Sequence, residues 1–207
     1  MKDCIIISAG DVEDSSTLQL CASDSYIICA DGGYIHALNA GIYPDVVIGD
    51  FDTFSGELPA DIERIKHPTE KDDTDTMLAI KLAIDRGYKD ITIFGATGGR
   101  FDHTYANVQA LAYASEYGCT ASIVNGDTII THIKNDRIVL PNIDGIFSIF
   151  AYSDICEGVT ISGAKYPLDG ATITSTFAIG TSNEFIGSDV GISVDNGSLL
   201  IVITKGE

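Results

Sequence analysis

The chain has 207 residues, with 12 Lys and Arg against 30 Asp and Glu and a formal charge of −18. That imbalance argues against nucleic acid or an anionic membrane surface as a partner, because either would repel it. Apolar residues make up 45% of the chain, enough to bury a core, so a folded acidic protein is expected rather than a disordered one.

No stretch approaches the roughly 18 consecutive apolar residues of a membrane helix, and neither a signal peptide nor an anchor is expected. The five cysteines, at positions 4, 21, 29, 119 and 156, are odd in number and form no Cys-x-x-Cys pair. Buried free thiols in a reducing cytoplasm are the expectation.

In chain order, residues 4–8, 26–30, 46–48, 91–94 and 121–124 read as buried strands, being short, apolar and bounded by Gly, Asp or Pro. Residues 76–86 carry Met77, Ile80, Leu82 and Ile84 at helical spacing before Gly87. Residues 103–117 do the same with Val108, Leu111 and Ala112 before Gly118, and each Gly suits a helix C-terminus. Strands alternating with helices predict a doubly wound, mostly parallel α/β domain. After Asn125 the pattern changes to strand-like runs at 128–133, 137–140, 146–152, 158–161, 171–174 and 199–204. They are separated by Asn-Asp, Asp-Gly and Asn-Gly turns, as in a small all-β sandwich or barrel. The expected domains are 1–127 and 128–207.

The acidic residues are informative where they follow strands. Asp31-Gly32-Gly33 follows the second strand, Gly49-Asp50-Phe51-Asp52-Thr53 the third, and Gly98-Gly99-Arg100-Phe101-Asp102-His103 a later one. In a parallel sheet these loops emerge at one edge, where such folds bind ligands. Lys71-Asp72-Asp73-Thr74-Asp75 adds carboxylates at the start of a helix. Carboxylates gathered in one crevice repel unless a cation joins them, and hard oxygen donors select Mg²⁺ or Ca²⁺. Read alone, Asp50-x-Asp52 is equally a solvated acidic turn.

Gly98 and Gly99 would let backbone N–H groups approach a phosphate, with Arg100 offering a bidentate fork, although neither the Walker pattern nor G-x-G-x-x-G is present. The four histidines lack zinc-binding spacing, and Ser8, Ser55 and Ser162 lack a nucleophile elbow. Residues 163–168 and 180–184 read as hairpin connections, with Tyr166 offering a ring face to a flat or cationic ligand.

Taken together and in order, these segments resemble the thiamin pyrophosphokinase family. The motifs are Ala30-Asp31-Gly32-Gly33, Pro44-Asp45 leading to Gly49-Asp50-Phe51-Asp52-Thr53, Lys71-Asp72-Asp73-Thr74-Asp75, Gly98-Gly99-Arg100-Phe101-Asp102-His103, Lys165-Tyr166-Pro167-Leu168 and Thr181-Ser182-Asn183-Glu184. Thr53 stands where the family often has Ser, and Tyr166 where some relatives carry Trp.

The resemblance implies a nucleotide-binding catalytic α/β domain at 1–127, a thiamin-binding β-sandwich at 128–207, and a cytoplasmic homodimer with active sites at the subunit interface. It implies that ATP donates a pyrophosphoryl group to the thiamin hydroxyl, giving thiamin diphosphate and AMP. Carried over residue by residue, it places Mg²⁺ on Asp31, Asp50, Asp52 and Asp75, and catalysis on Asp50, Asp52 and Arg100. Asp72, Thr74, Gly98, Gly99 and Asp102 fall around the nucleotide, and Tyr166, Ser182 and Asn183 on thiamin. Asp50 and Asp52 both remain candidates for the base. Two other readings stand beside this one. A Mg²⁺-dependent phosphatase could use Asp50 as nucleophile, although its Asp-x-Asp would normally follow the first strand. A non-catalytic nucleotide or thiamin module would not need so many carboxylates on one edge.

Overall fold

A computed structural model describes residues 3–51, 58–66 and 73–206, and the chain divides into two compact units, Met1–Gly126 and Asp127–Glu207. The first unit is doubly wound. Strands β1 (Cys4–Ile7), β2 (Tyr26–Ala30), β3 (Val46–Gly49), β4 (Glu63–Lys66), β5 (Asp90–Phe94) and β6 (Thr120–Asn125) lie in the order β6-β5-β1-β2-β3-β4. The pairs β1–β2, β1–β5, β2–β3, β3–β4 and β5–β6 are all parallel. Helices α1 (Ser15–Ala22), α2 (Gly33–Asn39), α3 (Asp75–Asp85) and α4 (Phe101–Glu116) connect the strands.

All four residues of β1 are buried, as a central parallel strand covered on both faces requires. Ile5 and Ile7 pack with Leu18 of α1 and with Tyr34 and Ala37 of α2. Helices α3 and α4 pack on one another. Helix α3 turns Thr76, Ala79, Ile80 and Ala83 inward, so its buried stripe follows the helical period.

The second unit is an all-β sandwich of β7 (Thr128–Lys134), β8 (Arg137–Leu140), β9 (Gly145–Ala151), β10 (Ile155–Ser162), β11 (Leu168–Thr174), β12 (Gly180–Glu184), β13 (Val190–Ser193) and β14 (Ser198–Lys205). Strands β12-β9-β14-β7 form one layer and β11-β10-β13-β8 the other. Their alternate side chains, among them Phe147, Ile149, Val159, Ile161, Ile192, Leu199 and Ile201, interdigitate as one core.

Five elements fall where the sequence pattern predicts none: α1, α2, β4, β12 and β13. Helix α1 buries only Leu18 and Ala22, and α2 has seven residues, so neither builds a readable period. Strands β4 (ERIK) and β12 (GTSNE) end their layers, where an edge strand tolerates polar residues. The segment 180–184 is therefore a strand on β9, not a hairpin connection.

Candidate active site

Chain connectivity places the site. From β1 the chain proceeds outward through β2 and β3 to β4, and α3 then returns it to β5 on the other side of β1. The winding direction therefore reverses between β1 and β5, the switch point at whose carboxyl edge doubly wound sheets bind ligands. A cleft of about 380 Å³ lies there, lined by Ser8 to Asp11, Ala30, Asp31, residues 74–76, residues 95–100, His103 and Asn107.

Backbone bonds tie its two loops together: the Gly10 N–H donates to Gly95 O at 2.7 Å and the Asp11 N–H to Thr97 O at 2.9 Å. A side chain at Gly10 would put its Cβ 2.5 Å from Thr97 O, so only glycine permits this approach. Buried Asn107 of α4 donates through Nδ2 to Ala96 O at 2.7 Å and holds the loop from below.

Of the predicted carboxylates, Asp31 and Asp75 line the cleft. Asp31 follows β2 with φ +44°, a left-handed conformation that Asp tolerates better than most residues, and its N–H donates to Ile48 O at 2.8 Å. Gly49 lies so near that a Cβ there would come 3.1 Å from Asp31 Cβ, which brings the start of the Asp50 loop against Asp31. Asp50 is partly buried at the end of β3 and is not among the residues lining the cleft. Asp75 sits in the first turn of α3, beside the N-cap Thr74, whose hydroxyl accepts from Met77 N–H at 3.2 Å. Asp52 and Asp72 lie outside the described residues. Among the described residues no group of three or more His, Cys, Asp or Glu side chains is close enough to hold a metal ion.

Gly98, Gly99 and Arg100 line the same cleft. Arg100 is engaged by Asp102, with Nε 3.1 Å from Oδ1 and Nη2 2.5 Å from Oδ2. The guanidinium holds the Asp102 carboxyl below the usual range, and Asp102 in turn raises Arg100. Both side chains are largely exposed, so the clasp is one that an anion in the cleft can compete for. Asp102 itself does not line the cleft.

In the β unit, a second cleft of about 250 Å³ is lined by Ile161, Tyr166, Pro167, Leu168, Ile179, Gly180, Thr181 and Asn183. Asn183 is buried and takes both polar groups of Tyr166's backbone: its Oδ1 accepts from Tyr166 N–H at 3.0 Å and its Nδ2 donates to Tyr166 O at 2.8 Å. Asn183 thus fixes the position from which the exposed Tyr166 ring projects. The Lys165 ammonium lies 5.4 Å from that ring's centroid. Ser182 has φ +56° at a register shift of β12, with its N–H donating to Ser148 Oγ at 3.0 Å.

Ser8, Asp11, Thr76 and Asn107 line the first cleft although sequence reasoning assigned none of them to it. Ser8 and Asp11 lie in the loop after β1, which leaves the same sheet edge as the loops of Asp31 and Asp50, and that shared edge is their signal in the sequence. Asn107 carried no signal, since a lone Asn within a helix is ordinarily solvated.

A glycine loop at the switch point of a doubly wound sheet, facing carboxylates and an Arg, defines an enzyme that handles nucleotide phosphates. Comparison with known proteins narrows the class. Residues 17–123 match the family model described as "Thiamin pyrophosphokinase, catalytic domain", and residues 135–199 match "Thiamin pyrophosphokinase, vitamin B1 binding domain". The chain is 30% identical over 190 residues to the thiamine pyrophosphokinase of Bacillus subtilis, covering 84% of this chain and 85% of that one. It superposes on a crystal structure of the thiamine pyrophosphokinase from Bacillus subtilis with a TM-score of 0.90 at 27% identity, covering both chains fully. For the Geobacillus thermodenitrificans structure the TM-score is 0.85 at 26% identity, covering 100% of this chain and 99% of that one. The chain belongs to the thiamin pyrophosphokinase family and is a transferase that moves pyrophosphate from ATP to thiamin.

Proposed function

We propose that the β1–β5 cleft is where this chain performs the transfer. The observation that supports it most is that Asp31, Asp75, Gly98, Gly99 and Arg100, drawn from the loop after β2, the start of α3 and the loop after β5, line one cavity. In this reading the α/β domain, 1–127, binds the nucleotide and the β domain, 128–207, binds thiamin.

The donor set suits Mg²⁺, since Asp31, Asp50, Asp52 and Asp75 offer only hard carboxylate oxygens. When bound, the ion supplies neutralisation of the triphosphate's charge. The chain's own residues do the rest. Gly99 presents backbone to a phosphate, and Arg100 turns from Asp102 to the phosphate oxygens that gain charge as AMP leaves. Asp102 keeps Arg100 at the mouth of the cleft until then, while Thr74, the N-cap of α3, borders the nucleotide, and Asp72 serves the nucleotide too. Asp50 or Asp52 accepts the proton of the thiamin hydroxyl. The thiazolium cation stacks on Tyr166, with Ser182 beside it and Asn183 holding the Tyr166 backbone.

The chain works as a cytoplasmic homodimer with active sites at the subunit interface, without nucleic acid or membrane. No helix among the described residues is long and apolar enough to cross a membrane.

Incubation with ATP, Mg²⁺ and thiamin, followed by chromatography, tests this reading. AMP and thiamin diphosphate in equal amounts are expected, lost in Asp52→Asn and Asp75→Asn with the fold intact. Near-parental turnover in both variants would move the chemistry elsewhere. Release of ADP or phosphate would favour the phosphatase reading, in which Asp50 would act although it follows β3. Light scattering of the purified chain should give twice the monomer mass.

A further inference from the structure

Asp11 is a carboxylate that neither the proposed metal set nor the phosphate loop accounts for. It lies in the loop after β1, beyond Gly10, and its backbone is fixed by the N–H bond to Thr97 O. Its side chain lies over Gly98, where an added Cβ would fall 2.0 Å from Asp11 Oδ2. The carboxylate therefore covers one face of the glycine loop, on an exposed residue of the cleft's lining.

A phosphate cannot share that face, because two anions would meet there without a cation between them. Among the described residues Asp11 joins no group of three or more potential metal ligands. Asp31 follows β2 and Asp75 opens α3, and in the proposed reading they mark the metal-binding end of the site. What suits a lone carboxylate is a neutral group that donates hydrogen bonds. The part of a nucleotide with two adjacent donors is the ribose diol, whose spacing matches the two oxygens of a carboxylate.

We propose that Asp11 is a specificity-determining residue that accepts hydrogen bonds from the ribose hydroxyls of the nucleotide. The inference rests on the cleft being the nucleotide site. It sets the nucleotide's direction, with the sugar at Asp11 and Gly98 and the phosphates running past Gly99 and Arg100 towards Asp31 and Asp75.

The test is steady-state kinetics of the parent enzyme, Asp11→Ala and Asp11→Asn with ATP, 2′-deoxy-ATP, 3′-deoxy-ATP and inosine triphosphate, at saturating thiamin and Mg²⁺. Titration calorimetry of the same nucleotides measures binding where turnover is too slow. Two hydrogen bonds to a charged acceptor predict a parental KM for ATP about ten-fold below that for at least one deoxy analogue. In Asp11→Ala the KM for ATP should rise about ten-fold, kcat should change less than about two-fold, and the deoxy analogues should become equivalent to ATP. Asp11→Asn should fall between.

A parent enzyme that does not discriminate, or an Ala variant that still does, overturns the proposal. So does a lower KM for ATP in Asp11→Ala, which would make the carboxylate merely repulsive. Loss of discrimination against inosine triphosphate alone would assign Asp11 to the base instead. Near-parental turnover and nucleotide binding in Asp75→Asn would instead remove the cleft itself as the nucleotide site, so the two failures are distinguishable.

Discussion

The hydroxyls of Ser8 and Thr76 stand 2.9 Å apart, and both residues are buried. One is the residue immediately after β1 and the other is the second residue of α3, so a single side-chain bond pins the start of that helix to the sheet edge. Asp75 is held between this bond and the Thr74 cap. The position of a cleft carboxylate is thus set by two hydroxyl contacts on either side of it in sequence.

Replacing Ser8 by Ala should leave the Thr76 hydroxyl buried without this partner, at a cost of about 1–3 kcal/mol. Ser8→Ala with Thr76→Val removes both hydroxyls and should recover part of that loss. Urea unfolding of the two single variants and the double variant measures the coupling, and strictly additive losses would show that the hydroxyls do not act as a pair.

Much of this arrangement was legible in the sequence. The β-branched runs of β1, β2, β3 and β5 marked the parallel core, and the polar loops after β2, β3 and β5 marked the edge. What escaped was what burial and length hide. Ser8 reads as the tail of an apolar run, and its partner is 68 residues away. Asn183 reads as a polar turn residue, yet its amide is turned inward onto Tyr166's backbone. Arg100 reads as a phosphate ligand, whereas here Asp102, two residues on, occupies its fork. Pattern locates an edge; the partner that each polar atom finds there depends on the packing of distant segments.

Asp31 should separate chemistry from conformation. Asn tolerates positive φ at least as well as Asp, so Asp31→Asn should unfold no lower than the parental temperature while losing turnover. Ala cannot offer a short polar side chain to its own backbone at φ +44°, so Asp31→Ala should lose about 1 kcal/mol of stability in addition. Calorimetry beside the AMP assay decides this, and an active Asn variant would remove the carboxylate from the reaction.

The Arg100–Asp102 clasp makes a pH prediction. Asp102's carboxyl is held low, chiefly by its bond to Arg100, so its contribution is complete above the ordinary carboxylate range and lost only as pH falls through the lowered value. Arg100 is raised, so its charge persists through neutral and alkaline pH. Asp102→Asn frees the Arg100 fork that the phosphate must otherwise win, and should therefore lower the KM for ATP by the same factor at every pH from about 6 to 9, and by less than about ten-fold for so exposed a pair. A factor that changes across that window would show that the clasp is coupled to a group titrating near neutrality.

Tyr166 offers the sharpest division between the two substrates. The residue is 56% exposed at the rim of the second cleft, and a cation already rests near its ring in Lys165. Stacking of the thiazolium on that face is worth roughly 1–2 kcal/mol. Tyr166→Ala should therefore weaken thiamin binding by about five- to thirty-fold while leaving ATP binding little changed. Tyr166→Phe, which keeps the ring, should restore most of the loss, whereas Asn183→Ala should repeat it by releasing the backbone that aims the ring. Titration calorimetry with each substrate separates these cases, and equal losses for ATP and thiamin in Tyr166→Ala would contradict the assignment.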